Sequence, residues 1–191
     1  MNTIKKACED LAKEARSRDW QARRVLPGQQ KGSVEIFAEG MEFNVSVSEN
    51  AGSPEFAFPY QRVRNRMLVA VGPVSSRTAK DSAGEIQQLV DERNHNVEAV
   101  EKAAKHGGWE VTKSERPRAA NSGPGLEEPQ SYDVQLDCTK HGRKKLIVAV
   151  AHVDQFEVVE DSAPKYPPDY NPQVSGQNKE WTRPQVESQF T

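Results

Sequence analysis

The sequence predicts an α+β fold built from two similar helix-plus-antiparallel-sheet units, followed by an extended C-terminal tail. Three observations lead there. First, the chain matches itself at an offset of 89 residues: Cys8, Leu11 and Ala15 fall on Val97, Val100 and Ala104, and Trp20 falls on Trp109. Second, strand-like segments follow in the same relation. Phe43–Val47 falls on Tyr132–Leu136 and, after a ten-residue change of offset, Arg66–Val74 falls on Lys145–Val153. Self-similarity of this kind bounds the architecture before any single element is assigned. Third, composition shifts at Asp161, where Pro, Gln, Asn and Ser take over. The expected units are residues 1–74 and 75–160, with residues 161–191 as the tail.

The first unit opens on an amphipathic helix over residues 3–17. Thr3 is placed to cap it, and Ile4, Cys8, Leu11, Ala12 and Ala15 form one apolar stripe. Strands are expected over 20–26 and 34–38, the first ended by Pro27-Gly28. Glu39-Gly40 signals a tight turn into a strand over 41–49, where Met41, Phe43, Val45 and Val47 alternate onto one face. Gly52, Pro54 and Pro59 predict a loop from Asn50 to Tyr60. A last strand is expected over 62–71, stopped by Gly72-Pro73.

The second unit begins with Ser82-Ala-Gly-Glu85, which has the spacing of a capping box. Ile86, Leu89, Val90, Val97, Val100 and Ala104 continue at helical spacing, while polar residues 93–96 interrupt the stripe. One bent helix and two helices are both compatible with that pattern. Gly107-Gly108 ends the helical run, and Trp109–Ser114 reads as a strand. Residues 116–130 read as a loop. A hairpin over 132–138 and 144–153 turns at His141-Gly142, and apolar character continues over 156–159.

Composition narrows the function classes. The chain has 191 residues, a 35% apolar share and a formal charge of −2, so no global field recruits nucleic acid or an acidic membrane. It lacks an apolar leader and any apolar run of spanning length, so the expectation is a soluble protein with no membrane partner. Its two cysteines, Cys8 and Cys138, form no Cys-x-x-Cys pair, and Cys8 reads as a buried unbridged thiol in a reducing compartment. The expected location is the cytoplasm, or a virion if the chain is viral.

No motif of nucleophilic, phosphate-binding or zinc-protease type is present. His95 and His106 lie eleven residues apart on a helix, a rise of roughly 16 Å, too far for one metal ion. Asp137, Cys138 and His141 are close in sequence, but strand alternation sends Asp137 and Cys138 to opposite faces. The reading is therefore non-catalytic, with no cofactor and no metal.

Two interaction readings remain. In the leading one the chain binds other protein subunits, an oligomer being compatible with it. The body is a scaffold, and Tyr166, Tyr170, Trp181 and Phe190 on a Pro-stiffened arm dock into another subunit. This style suits a virion assembly component or a phage accessory protein. The alternative is nucleic-acid binding through two basic strand starts, Arg62, Arg64 and Arg66, and His141, Arg143 and Lys145. Phe56, Phe58 and Tyr60 would then supply stacking surfaces. Against it, Lys and Arg on an edge strand also serve to keep other chains from pairing there.

Overall fold

The computed structural model of the chain describes residues 3–64, 67–117, 131–149, 153–160 and 180–191. Its helices and antiparallel sheets make the α+β class. Two compact units divide the chain: Met1–Gln61, Ala70–Asp91 and Ala119–Ser131 form one, and Arg62–Val69, Glu92–Arg118 and Tyr132–Thr191 the other. The sequence boundary at residue 74 does not coincide with this division.

Helix α1 (Thr3–Ser17) precedes β1 (Gln21–Leu26), β2 (Lys31–Ala38), β3 (Met41–Asn50), β4 (Ser53–Arg64) and β5 (Met67–Ser76), which fall in the first unit except for Arg62–Val69 at the end of β4 and the start of β5. The five strands form one sheet in chain order. The α1 stripe is buried as its spacing predicts: Ile4, Cys8, Leu11 and Ala15 are wholly inaccessible, and the helix packs on β1, β2 and β3. Burying each Leu or Ile stabilises by about 1.5–3 kcal/mol. The stripe also brings the helix backbone close to the sheet. A Cβ added at Gly32 of β2 would lie 2.6 Å from Cys8 Sγ, so only glycine fits beneath that turn.

Tight turns set the sheet register. Glu39-Gly40 and Ala51-Gly52 each place two successive residues at positive φ, and each joins neighbouring antiparallel strands in the mirror-type geometry that matches strand twist. Met41, Phe43, Val45 and Val47 of β3 are buried, and the intervening Glu42, Asn44 and Ser46 are exposed. The predicted loop over 50–60 is instead strand β4. Its prolines are compatible with a strand: Pro54 is the second residue, and Pro59 lies past Ala57, the last residue in the described pairing with β3. Likewise, β5 runs on through Gly72-Pro73 to Ser76.

The second helix, α2 (Ala79–His106), is one continuous element of 28 residues. It starts earlier than Ser82 because Thr78 caps it: Asp81 N donates to Thr78 Oγ1 at 3.0 Å. Ser82 is buried inside the helix. Ala83, Ile86 and Val90 are buried in the first unit's half, and Val97, Val100 and Ala104 in the second's. Arg93 stands where the stripe would carry an apolar residue, and it is buried too. Asn96, next to it in the polar stretch, donates its side-chain amide to Val153 O at 2.8 Å.

The second unit continues with β6 (Glu110–Pro117), β7 (Tyr132–Lys140), β8 (Arg143–Ala149), β9 (Phe156–Glu160), β10 (Glu180–Trp181) and the short helix α3 (Arg183–Glu187). Its strands form a second five-stranded sheet, again in chain order. His141-Gly142 repeats the positive-φ turn between β7 and β8. The core joins α2 (Val97, Val100, Ala104) to Val134, Leu136, Cys138, Ile147 and Phe156, closed by Val186 and Phe190.

At the two helix ends, residues 89 positions apart share one backbone geometry. Asp19 at φ 60° and Gly108 at φ 77° occupy matching left-handed positions. Trp20 N donates to Ala15 O at 3.1 Å, and Trp109 N to Ala104 O at 3.0 Å. The bonds from Asp19 N to Arg16 O and Gly108 N to Lys105 O complete the same helix-stop motif, with the Trp as its apolar cover. Beyond the Trp the correspondence fails. Phe43–Val47 lies in the third strand of its sheet and Tyr132–Leu136 in the second; β5 is fifth in its sheet and β8 third in its own. Residues 118–131 separate β6 from β7, whereas only residues 27–30 separate β1 from β2. A constant offset therefore slides one strand past another.

Candidate interface at the C-terminal segment

The sequence reading treats residues 161–191 as one extended arm. The structure corrects that for its far end. After residues 161–179, which lie outside the described residues together with Tyr166 and Tyr170, the chain returns to its own sheet. Glu180 pairs with Glu157 and Trp181 with Phe156, which makes β10 the strand next to β9. Pro184 then favours a helical start, because its missing N–H would have had no partner in a first turn. Gln185 Oε1 accepts the backbone N–H of Thr182 at 2.9 Å, and Val186 N donates to Thr182 O at 3.1 Å. This α3 turn directs Val186 inward and brings the next residues over the end of α2.

Phe190 is 3% exposed, and its ring meets Trp109 edge-to-face with centroids 5.6 Å apart. Its carbonyl lies so close to Gly107 that a Cβ there would come within 2.2 Å of the oxygen. Lys140 completes the clamp. Its Nζ donates to Gly107 O, one of the carbonyls a helix end leaves unpaired, and stands 6.0 Å from the Trp109 ring centroid. Trp181 is half-buried against the same core. The proposed docking roles of Trp181 and Phe190 therefore need correction: both side chains are used inside their own unit. No signal in the isolated sequence distinguishes an aromatic that docks in cis from one that docks in trans.

Of the two expected basic ladders the structure describes the backbone of five residues and the side chain of His141 alone. Arg62 and Arg64 lie near the end of β4, and Arg66 lies outside the described residues. Arg143 and Lys145 begin β8, facing Lys140 and Cys138 in register. The side chains of these four strand residues are outside the described set. His141 is exposed but sits at φ 49° in the turn, so the alternation that would align it with Arg143 and Lys145 is broken there. Phe56 and Phe58 are each 2% exposed, and Phe58 packs edge-to-face on Phe43 at 5.6 Å. They are core residues and present no face to a base; the Tyr60 side chain lies outside the described set.

Cys8 and Cys138 are both buried and unbridged. Burial raises the Cys8 thiol pKa above its ordinary value, with a smaller lowering contribution from a backbone hydrogen bond. Cys138 points into the core, whereas Asp137 accepts the side-chain amide of Gln135 at 3.0 Å on the other face. Among the described residues no group of three or more His, Cys, Asp or Glu is arranged to hold a metal ion. No helix among them is long and apolar enough to cross a membrane. Comparison with protein families, with curated proteins and with solved structures finds no match to this chain.

Proposed function

We propose that the chain is a non-catalytic protein-binding protein, and that residues 161–179 make its contact with other protein subunits. One observation carries the reading. Glu160 ends β9, and Glu180 pairs with β9 at Glu157, so both ends of the segment are tied to one sheet. Three residue steps along β9, from Glu157 to Glu160, separate the two anchor points, a span of about 10 Å along the strand. A segment held at both ends has fewer conformations to lose on binding than a free arm has, and Pro164, Pro167, Pro168 and Pro172 reduce that number further. Tyr166 and Tyr170 supply large amphipathic contact area with few rotatable bonds. Trp181 and Phe190 serve this function as anchors. A subunit contact within a virion or phage assembly is one setting for such a segment.

The test is affinity capture with three full-length chains: the parent, Tyr166→Ala/Tyr170→Ala, and one in which a Gly/Ser linker of equal length replaces residues 162–178. The reading expects a protein partner held by the parent and lost by both variants, whose thermal melts stay unchanged. Retention of the same partner by both variants would overturn it.

A further inference from the structure

The second sheet ends on β6, which among the described residues pairs with β7 alone. Apart from half-buried Val111, every residue of β6 is exposed. Lys113 and Glu115 lie opposite Leu136 and Val134 in register, on one face of the sheet. None of the ion pairs among the described residues involves either of them. We propose that β6 is the contact through which two copies of this chain associate. Their β6 strands pair antiparallel about a two-fold axis at Ser114, joining the two sheets into one.

Charge and hydrogen-bond geometry together select this register. Backbone groups alternate along a strand between its two sides, so residues directly opposite in a symmetric antiparallel pair have the same parity and their numbers sum to an even value. A sum of 226 places Glu110 against Arg116 on either side of the axis but sets Lys113 against Lys113 of the second copy on it. A sum of 230 sets Glu115 against Glu115. Like charges directly opposite are destabilising. The sum of 228 places Lys113 against Glu115 of the second copy, and symmetry repeats that pair on the other side of the axis. Ser114 then faces Ser114, Thr112 faces Arg116 and Val111 faces Pro117. Sums of 224 and 232 shorten the ladder and leave Lys113 and Glu115 without each other. Charges on an edge strand commonly keep unrelated strands away. Of these registers only 228 opposes unlike charges within β6 without also setting like charges opposite each other, and its occupant is a second copy of the chain. This inference does not depend on residues 161–179.

Sedimentation velocity on the full chain over a concentration series tests it. The parent is expected to dimerise reversibly. Lys113→Glu puts two Glu–Glu pairs in the contact, and Glu115→Lys puts two Lys–Lys pairs. Each is expected to weaken the dimer about tenfold, because two cross-strand pairs change sign together. The exchanged double variant Lys113→Glu/Glu115→Lys restores both pairs and is expected to return to the parent affinity. Thermal melts establish that each exposed substitution leaves the fold intact. A parent that stays monomeric, a dimer indifferent to the single reversals, or a double variant that fails to recover would each overturn the proposal.

Discussion

Replacing Phe190 with Ala is the sharpest perturbation of the second unit. The side chain is 3% exposed, so nearly all of its surface is removed from water, and Trp109 meets it edge-to-face at 5.6 Å. Truncating a buried Phe costs about 3–5 kcal/mol from lost transfer energy and the cavity left behind. The aromatic pair accounts for about 0.5–1.5 kcal/mol of that kind of contact. The expected cost is at least the lower end of that range, about 3 kcal/mol. A whole domain has a stability of only about 5–15 kcal/mol. Denaturant unfolding with amide exchange read segment by segment provides the assay. The loss is expected in β9, β10 and the residue 97–106 half of α2, because these share the core with Phe190. Thr191→Ala, at an exposed position, serves as the control. A cost below about 0.5 kcal/mol, the scale of an ordinary surface substitution, would refute the reasoning. Truncation before Glu180 removes Trp181, Val186 and Phe190 together and is expected to unfold this unit.

Further expectations follow from the same contacts. Gly32→Ala should cost about 1–3 kcal/mol by overpacking, since its Cβ would meet Cys8 Sγ at 2.6 Å and Ile4 Cγ2 at 3.0 Å. Adding Cys8→Ala should recover part of that loss, and a double-mutant cycle in denaturant measures the coupling. Thr78→Ala should cost about 1 kcal/mol by removing the α2 cap, read in the same way. The folded Cys8 thiol has a raised pKa, so the folded state keeps its proton where the unfolded chain has lost it. Its contribution is intact below the unfolded thiol value, about 8.5, and is lost as pH rises through the higher folded value. Stability measured from pH 8 upward should therefore fall less steeply in Cys8→Ala than in the parent. Binding to DNA or RNA should be no tighter than the roughly 10⁻⁴–10⁻⁶ M of non-specific contacts at physiological salt. Tight binding abolished by Arg64→Ala/Arg143→Ala would favour the basic-strand reading instead.

The parts legible in the sequence are those governed by local periodicity. The α1 stripe from Ile4 to Ala15 and the alternation of β3 from Met41 to Val47 are buried as their spacing dictates. The turns at Glu39-Gly40 and His141-Gly142 follow from their Gly positions. Ala51-Gly52 was obscured as a hairpin turn because Pro54 and Pro59 follow it. What makes them acceptable is their place relative to the described β3–β4 pairs, a property of pairing rather than of local sequence. Arg93 breaks the apolar pattern but keeps its place in the buried stripe, so α2 is one helix instead of two. The C-terminal end was hardest to read. Trp181, Val186 and Phe190 are spaced too widely for any period, and their partners Phe156 and Trp109 lie far away along the chain.

The central claim is that the last twelve residues belong to the core of the second unit and so hold residues 161–179 at both ends. Amide hydrogen exchange on the isolated full-length chain tests this most directly. The account predicts that the amides of Val186, Gln189 and Phe190, which donate to Thr182, Val186 and Glu187, exchange on the slow timescale of β9. Exchange of these amides at the rate of an unstructured peptide, with β9 still protected, would contradict it.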